Sequence, residues 1–185
     1  MDAESFIRND ANRVLLIEKD RAALLGSGAN GQPLGLANTS GINATVTYGG
    51  AAEWTDVVEH ETGIADDNAD IDAMAFILGV TTVGKWKTKL KDSVAGANYL
   101  INGAGDSMEA NGYPVLRTKQ VGSAAQSFFG CWSQLIMGSW SGLEVIVDPF
   151  TLKKSGQVEI TFNELCDILV RQPLAFNVST DSAAQ

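Results

Sequence analysis

A chain of 185 residues with 45% hydrophobic and 19% charged residues has the composition of one folded domain, or of two small lobes sharing a core, and is too apolar for disorder. Its formal net charge of −9 excludes a protein that grips nucleic-acid phosphates with a basic surface, though not a wall that lies near DNA without adhering to it. The 19 glycines against 4 prolines point to many turns between short strands rather than to stiff linkers.

Residues 1–5 are acidic and no apolar run follows them, so no signal peptide is read there. The longest apolar stretches fall far short of the ~20 residues of a membrane helix, so a soluble protein made in the cytoplasm is expected, with no membrane partner. Residues 4–25 predict one long amphipathic helix, because Ile7, Ala11, Val14, Leu15, Ala22 and Leu25 fall on one face of a 3.6-residue period. Gly26 is expected to end it in the left-handed conformation, giving a spine about 33 Å long. Residues 26–42 then read as a loop rich in Gly and Asn, and residues 43–48 alternate as a short strand. Residues 53–61 predict a helix with Trp54, Val57 and Val58 on one face, and the acidic stretch 63–72 an exposed loop.

Residues 74–80 are continuously apolar, the pattern of a strand buried on both faces. Val83, Trp86 and Leu90 mark one side of a third helix. Residues 99–101, 114–116, 135–137 and 143–147 predict strands, with tight turns at Asn102-Gly103 and Asn111-Gly112. Val158, Ile160 and Phe162 alternate in a last strand over 157–170, residues 171–176 close it, and residues 180–185 are expected to fray. The fold class is α+β: a long helix, a mixed central sheet with flanking helices, and a final strand returning from the far end. Phe76, Ile77, Trp86, Leu90, Leu135, Ile136, Val145 and Val147 are its expected core.

No motif in the chain completes a chemical site. Gly26-Ser27-Gly28-Ala29-Asn30-Gly31 spells GxGxxG, but a dinucleotide cradle needs a strand before the motif and a helix after it, and here the order is inverted. His60 stands among Glu53, Asp56, Glu59 and Glu61, which raises a general base with carboxylate partners; without a GxSxG elbow, a solvated histidine on a polar helix face is the expectation. Asp66, Asp67, Asp70 and Asp72 lack the offsets of a calcium loop. Lys85, Lys87, Lys89 and Lys91 spread around a helix as a solvated surface. Cys131 and Cys166 have no zinc spacing; they could pair, although reduced thiols are the commoner state in a cytosolic protein. Hence no catalytic residue, cofactor or metal is expected, and a small hydrolase using His60 is the rival reading.

Two stretches together carry a resemblance. The first holds Asp20, Leu25-Gly26-Ser27-Gly28, Pro33-Leu34-Gly35-Leu36 and Gly41-Ile42 in order. The second runs WKTKLKD, GANYLI, NGYPVL, FFGCWSQLIMGSWSGLEVIVDPF and ITFNELCDILVRQPLAF. In order and spacing these resemble tailed-bacteriophage major capsid proteins. The resemblance implies the Hong Kong 97-type capsid fold, with residues 1–42 and 157–180 as a peripheral domain of spine helix and closing strand, and residues 43–156 as an axial domain. It also implies a strand carrying Phe-Gly-x-Trp. The implied function is a head subunit that self-associates into pentamers and hexamers of an icosahedral shell enclosing double-stranded DNA, with other phage head proteins as further partners. Such a protein resides in the virion and is assembled in the bacterial cytoplasm. An encapsulin-like protein cage is the alternative within the same fold. Family members carry an N-terminal arm and an extended hairpin before the spine helix, whereas this sequence starts at that helix. A truncated, processed or minimal core is therefore expected, forming rings at most, and no crosslinking residue is carried over.

Overall fold

The computed structural model describes residues 3–43, 51–92, 96–121, 126–140 and 142–179. Its first element is the expected spine, α1 (Ala3–Leu25), free of any interior Gly or Pro that would break it. Its inward line differs from the predicted one. Ala11, Leu15, Lys19 and Ala22 turn inward, but Ile7 and Val14 are exposed, and only Ala22, Ala23 and Leu24 are fully buried. The reason is that other elements close fully only around the last turn, while the rest of the helix is covered along a single line at most.

After α1 the chain folds back as a small hairpin. Ser27 bridges Leu34, and Gln32 N donates to Ala29 O (3.1 Å) across a turn in which Asn30 (φ 55°) and Gly31 (φ 78°) are both left-handed. Gly26 is not the left-handed cap the sequence suggested. It is needed because Gly35 N donates to Gly26 O (2.9 Å), so the two backbones touch; a side chain on Gly26 would overlap Pro33 O, and one on Gly35 would overlap Gly26 N. Asn38 Nδ2 donates to Leu25 O (3.3 Å) and Gly26 O (2.8 Å), satisfying carbonyls that the helix end leaves open. The GxGxxG letters thus build a helix stop and a turn.

The expected strand over 43–48 lies outside the described residues except for Asn43. Helix α2 (Trp54–Asp66) runs five residues beyond its predicted end, and Glu53 N donates to Asp56 Oδ2 (2.7 Å) as one arm of a capping box. The stretch 63–72 is therefore part helix and only partly exposed: Ile64 and Ala69 are buried, while Asp66, Asp67, Asp70 and Asp72 face solvent. Strand β1 (Met74–Gly79) follows, then α3 (Val80–Thr88), which ends before Lys89.

Next come β2 (Glu109–Ala110), β3 (Tyr113–Thr118), β4 (Ser127–Cys131), β5 (Leu135–Ser139), β6 (Glu144–Asp148), β7 (Glu159–Asn163), β8 (Cys166–Val170) and β9 (Phe176–Ser179). Five of the strands form a mixed sheet in the order β2-β3-β1-β4-β9. Strands β1 and β3 are parallel, which requires a crossover, and α3 lies in the intervening chain. The other neighbours are antiparallel, and Asn111 (φ 52°) with Gly112 (φ 79°) makes the tight β2–β3 turn that the sequence signals. Strands β5–β8 and β6–β7 form two separate antiparallel ribbons. The single strand expected over 157–170 is thus two. The break falls where Glu164 binds Lys19 of α1 and Trp140 N takes Leu165 O (3.0 Å). Residues 99–101 form no strand: Tyr99 makes a lone bridge to Leu90, while Leu100 and Ile101 drop into the core. No helix among the described residues is long and apolar enough to cross a membrane.

The core centres on β1. Phe76, Leu78, Trp86, Phe128, Phe129 and Phe176 are fully buried, and every residue of β4 is buried. Phe76 stacks against Phe129 at 4.2 Å between ring centroids and meets Trp86 edge-on at 6.1 Å. Of the expected core residues, Phe76 and Trp86 belong to it, and Ile77 and Leu135 pack half-buried at its edge. Leu90, Ile136 and Val147 are exposed, because α3 ends two residues before Leu90, Ile136 lies on the outward face of the β5–β8 ribbon, and Val147 lines an open cleft beside α1 rather than a packed face. Val145 is half-buried on the β6–β7 ribbon.

Chemical denaturation should separate these classes. Phe76→Ala is expected to lose about 3–5 kcal/mol, whereas Leu90→Ala should lose less than about 1 kcal/mol; equal losses would contradict the burial pattern. Gly35→Ala is expected to cost about 2–4 kcal/mol through backbone overlap, and Gly84→Ala, at an open position of α3, to gain about 0.5–1 kcal/mol.

Candidate assembly surface

The two ribbons lie beside α1, and their registers decide which side chains reach the helix. In β5–β8, Leu135 pairs with Val170 and Met137 with Ile168, and Ile168 packs with Ala22, Ala23 and Leu135. Alternation sends Ile136 and Leu169, also cross-strand partners, to the opposite face, where they are 46% and 61% exposed. Trp140 falls on that same face, its ring close to Gly138, and is 73% exposed. In β6–β7 the pairs Val145–Phe162 and Val147–Ile160 share one face. With Ile7 and Arg8 of α1 they line a cleft of about 310 Å³, while Ile146 points away from it.

The turn at the end of the β6–β7 ribbon is a built structure. Asp148 Oδ1 accepts N–H groups from Phe150 (2.7 Å) and Thr151 (3.2 Å), and the Thr151 hydroxyl donates to Asp148 Oδ2. These three bonds, the Thr151 hydroxyl foremost, hold the Asp148 carboxyl below its usual range. A short 3-10 turn (Lys153–Ser155) and a left-handed Gly156 complete the tip. The result holds Phe150 out at 77% exposure beside two lysines. Along α1, Phe6, Ile7, Val14, Leu16 and Ile17 are exposed as well. Single exposed apolar residues are ordinary, but apolar faces this large on a helix, a ribbon and a tip are a surface suited to partners.

The residues weighed for chemistry do not converge. His60 is not solvated. It lies at three residues from Val57 and four from Ile64, on the buried face of α2, with no exposed area; Glu59 and Glu61, next to it in sequence, fall to either side of that face, and Asp56, one turn earlier, accepts the Glu53 N–H at the helix start. Its Nε2 is 3.3 Å from Ser127 Oγ, a serine and histidine pair, but both side chains are sealed from solvent beneath Phe76 and Phe129. Glu61 instead accepts Tyr113 OH (2.8 Å) and an Asn111 amide. Among the described residues no three His, Cys, Asp or Glu side chains converge as metal ligands. Lys85, Lys87, Lys89 and Lys91 are exposed or half-buried, and Lys91 Nζ lies 3.6 Å over the Trp54 ring. Cys131 and Cys166 are free thiols, the first buried with its Sγ 3.4 Å from Asp72 O. The surface residues Phe150, Trp140, Leu165 and Leu169 were not singled out from sequence. Their only signal there was large apolar side chains placed in or beside turns.

If Asp148 organises the tip, Asp148→Ala should speed amide exchange at Phe150 and Thr151 by about 10-fold, the worth of one hydrogen bond, and leave the melting temperature nearly unchanged. Unaltered exchange at both amides would show that the carboxylate does not hold the turn.

Comparison with known proteins agrees with this architecture. The model of the phage capsid family matches residues 1–181. The major capsid protein of Halomonas phage phiHAP-1 is 28% identical over 184 residues, which cover 100% of this chain and 29% of that protein. The capsid of the native GTA particle has a TM-score of 0.68 at 18% identity, over 97% of this chain and 66% of its own. A holo encapsulin complex from Synechococcus elongatus PCC 7942 has a TM-score of 0.59 at 16% identity, over 96% of this chain and 66% of its own. The chain therefore spans 29% of its curated relative and 66% of these two shell chains. With a spine helix, a mixed sheet and flanking ribbons in the Hong Kong 97-type arrangement, this chain belongs to the phage capsid family.

Proposed function

We propose that this chain is the shell-forming core of a tailed-phage major capsid protein, which self-associates into pentameric and hexameric capsomers. The observation that carries the proposal is the set of outward apolar faces on α1, β5–β8 and the β6–β7 tip, in a chain of this family. A subunit that closes its own core leaves few such faces; one that completes its burial against copies of itself needs them. Each contact is modest, and repetition around a symmetric shell makes the whole stable.

The contacts support a division in which α1 with the two ribbons is the peripheral part, and α2, α3 and the five-stranded sheet the axial part. The pairing of β9 with β4 argues for placing residues 176–179 in the axial part rather than with the spine helix. A structural rather than enzymatic role is supported by the family and by the burial of the one Ser–His pair described. The net charge of −9 suits a wall that encloses double-stranded DNA without binding its sequence. On this reading the protein resides in the virion, is assembled in the bacterial cytoplasm and meets other head proteins there. The likeness to an encapsulin complex favours a second reading, a non-viral cage, which cargo protein in place of packaged DNA would identify.

Analytical ultracentrifugation of the purified chain over a range of concentrations tests the proposal. Ring-sized oligomers that grow with concentration are expected, and the double variant Trp140→Ser, Phe150→Asp should weaken them by about 10-fold or more while leaving the melting temperature within a few degrees. A chain that stays monomeric throughout, or oligomers indifferent to both substitutions, would overturn it.

A further inference from the structure

We infer that the tip of the β6–β7 ribbon of one copy docks, Phe150 first, into a cleft between the end of α1 and the five-stranded sheet of a second copy. This rests on the reading of the chain as a self-associating shell subunit and names the contact that joins its copies.

The cleft follows from the register of β1 and β3. Ile77 and Leu116 are ladder partners, and alternation sends them to the sheet face opposite Phe76 and Val115, the pair one step before. The last turns of α1 bring Asp20, Ala23 and Leu24 to this face, and Trp132, Leu135 and Met137 help to complete the lining. The cleft holds about 330 Å³, room for an aromatic side chain, and it is open to solvent, since Leu116 and Met137 are exposed. Among the described residues that line it, Asp20 is the one with a charge. The cations next to Asp20 on α1 are already paired, Lys19 with Glu164 and Arg21 with Glu18, and Arg117 follows Leu78 to the other face of the sheet.

The tip is a convex match for this cleft. Phe150 stands out on the turn that Asp148 holds, with Lys153 and Lys154 on the 3-10 turn beyond the ladder. Of the acids nearby, Asp148 turns its carboxylate into the loop, and Glu159 is its ladder partner on the ribbon side of the turn. The leading surface is therefore a ring flanked by two ammonium groups, and the cleft offers apolar walls with one carboxylate. An aromatic anchor in an apolar pocket, with opposite charges at the rim, is the arrangement that concentrates binding energy in an interface. Two tips brought together set lysines against lysines, so the contact is not self-complementary.

A chain does not seat its tip in its own cleft, because both Phe150 and Leu116 are exposed. Val147 and Ile160, the ladder pair before the last one at the tip, face Ile7 near the start of α1, whereas the docking cleft begins at Asp20. At 1.5 Å per residue the helix sets Ile7 and Ala23 about 24 Å apart. One end of the spine thus carries the knob and the other the socket. Such a contact is heterologous: every copy uses both, and repetition about an axis makes a ring where the rotation closes.

Sedimentation of the whole chain and its variants reads the contact, and the substituted positions are exposed, so the fold is retained. Leu116→Lys in the cleft should weaken the oligomers by about 10-fold or more, as should Phe150→Asp at the tip. Asp20→Lys, near the C-terminal end of α1 where a cation suits the helix, should weaken them by about 5-fold, and adding Lys153→Asp with Lys154→Asp should restore them. Mixing the Leu116→Lys chain, which keeps its tip, with the Phe150→Asp chain, which keeps its cleft, should give one-to-one dimers that grow no further. In the unsubstituted protein, zero-length coupling of amines to carboxylates in a mixture of isotope-labelled and unlabelled copies should join Lys153 or Lys154 to Asp20 between copies. Oligomers indifferent to Leu116→Lys and Asp20→Lys would overturn the docking while leaving a self-associating subunit intact. So would swapped charges that fail to restore association, variant mixtures that stay monomeric, or tip lysines coupled between copies only to other acids. An unsubstituted chain that never associates would overturn both the docking and the shell reading.

Discussion

Phe76 and Phe129 face each other across the β1–β4 pair, and their stacked rings form the contact around which the remaining elements are arranged. Trp86 brings α3 against Phe76, His60 brings α2 against both rings, and Tyr113 brings β3 against Phe129. Since strand side chains alternate, a slip of one residue between β1 and β4 would move Phe76 and Leu78 to the opposite face and separate both helices from the sheet. The register of one strand pair therefore decides where α2, α3 and β3 can pack. Burying several large rings in one place supplies the driving force that this half of the molecule needs to hold its shape.

The other half is organised on a different principle. Helix α1 and the two ribbons bury only a narrow line of contacts, Ala22 and Ala23 on Ile168 with the Lys19–Glu164 ion pair nearby, and nearer its start Ile7 faces Val145 and Phe162 across an open cleft. Polar geometry keeps these pieces in place. Asn38 ties the end of α1 to the following hairpin, Glu164 joins the helix to the ribbons, and Asp148 shapes the tip. What they hold in position is largely exposed apolar surface. A closed core joined to an open frame is the division of labour suited to a subunit whose remaining burial comes from its neighbours.

Polar groups inside the closed half are few. The cluster of His60, Ser127 and Asn177 joins α2 to β4 and β9, and Asn43 links the chain before α2 to β9. A polar cluster inside an aromatic core specifies one arrangement strongly while its groups are neutral and matched, and becomes a weakness when one gains a charge.

The sequence by itself determined the local elements and the family. The spine helix, β1, α3, the Asn111-Gly112 turn and the helix-stop role of the GxGxxG letters follow from periodicity, turn chemistry and chain order, which depend only on residues close in sequence. The ordered motifs pointed to a phage capsid protein, and the family match agrees. Tertiary structure alone decided which apolar residues are covered. Ile136, Val147, Ile7 and Val14 have core-like patterns but stand exposed, because the elements that would cover them are not in this chain's own packing. It also decided that His60 is buried, since the acids beside it in sequence lie on other faces of α2 and its neighbours come from β1, β4 and β9. The break between β7 and β8 coincides with the pairing of Glu164 with Lys19, 145 residues away in sequence. Burial and pairing between distant segments are properties of the folded whole, and a local pattern records only that a side chain could be buried, not whether anything arrives to cover it.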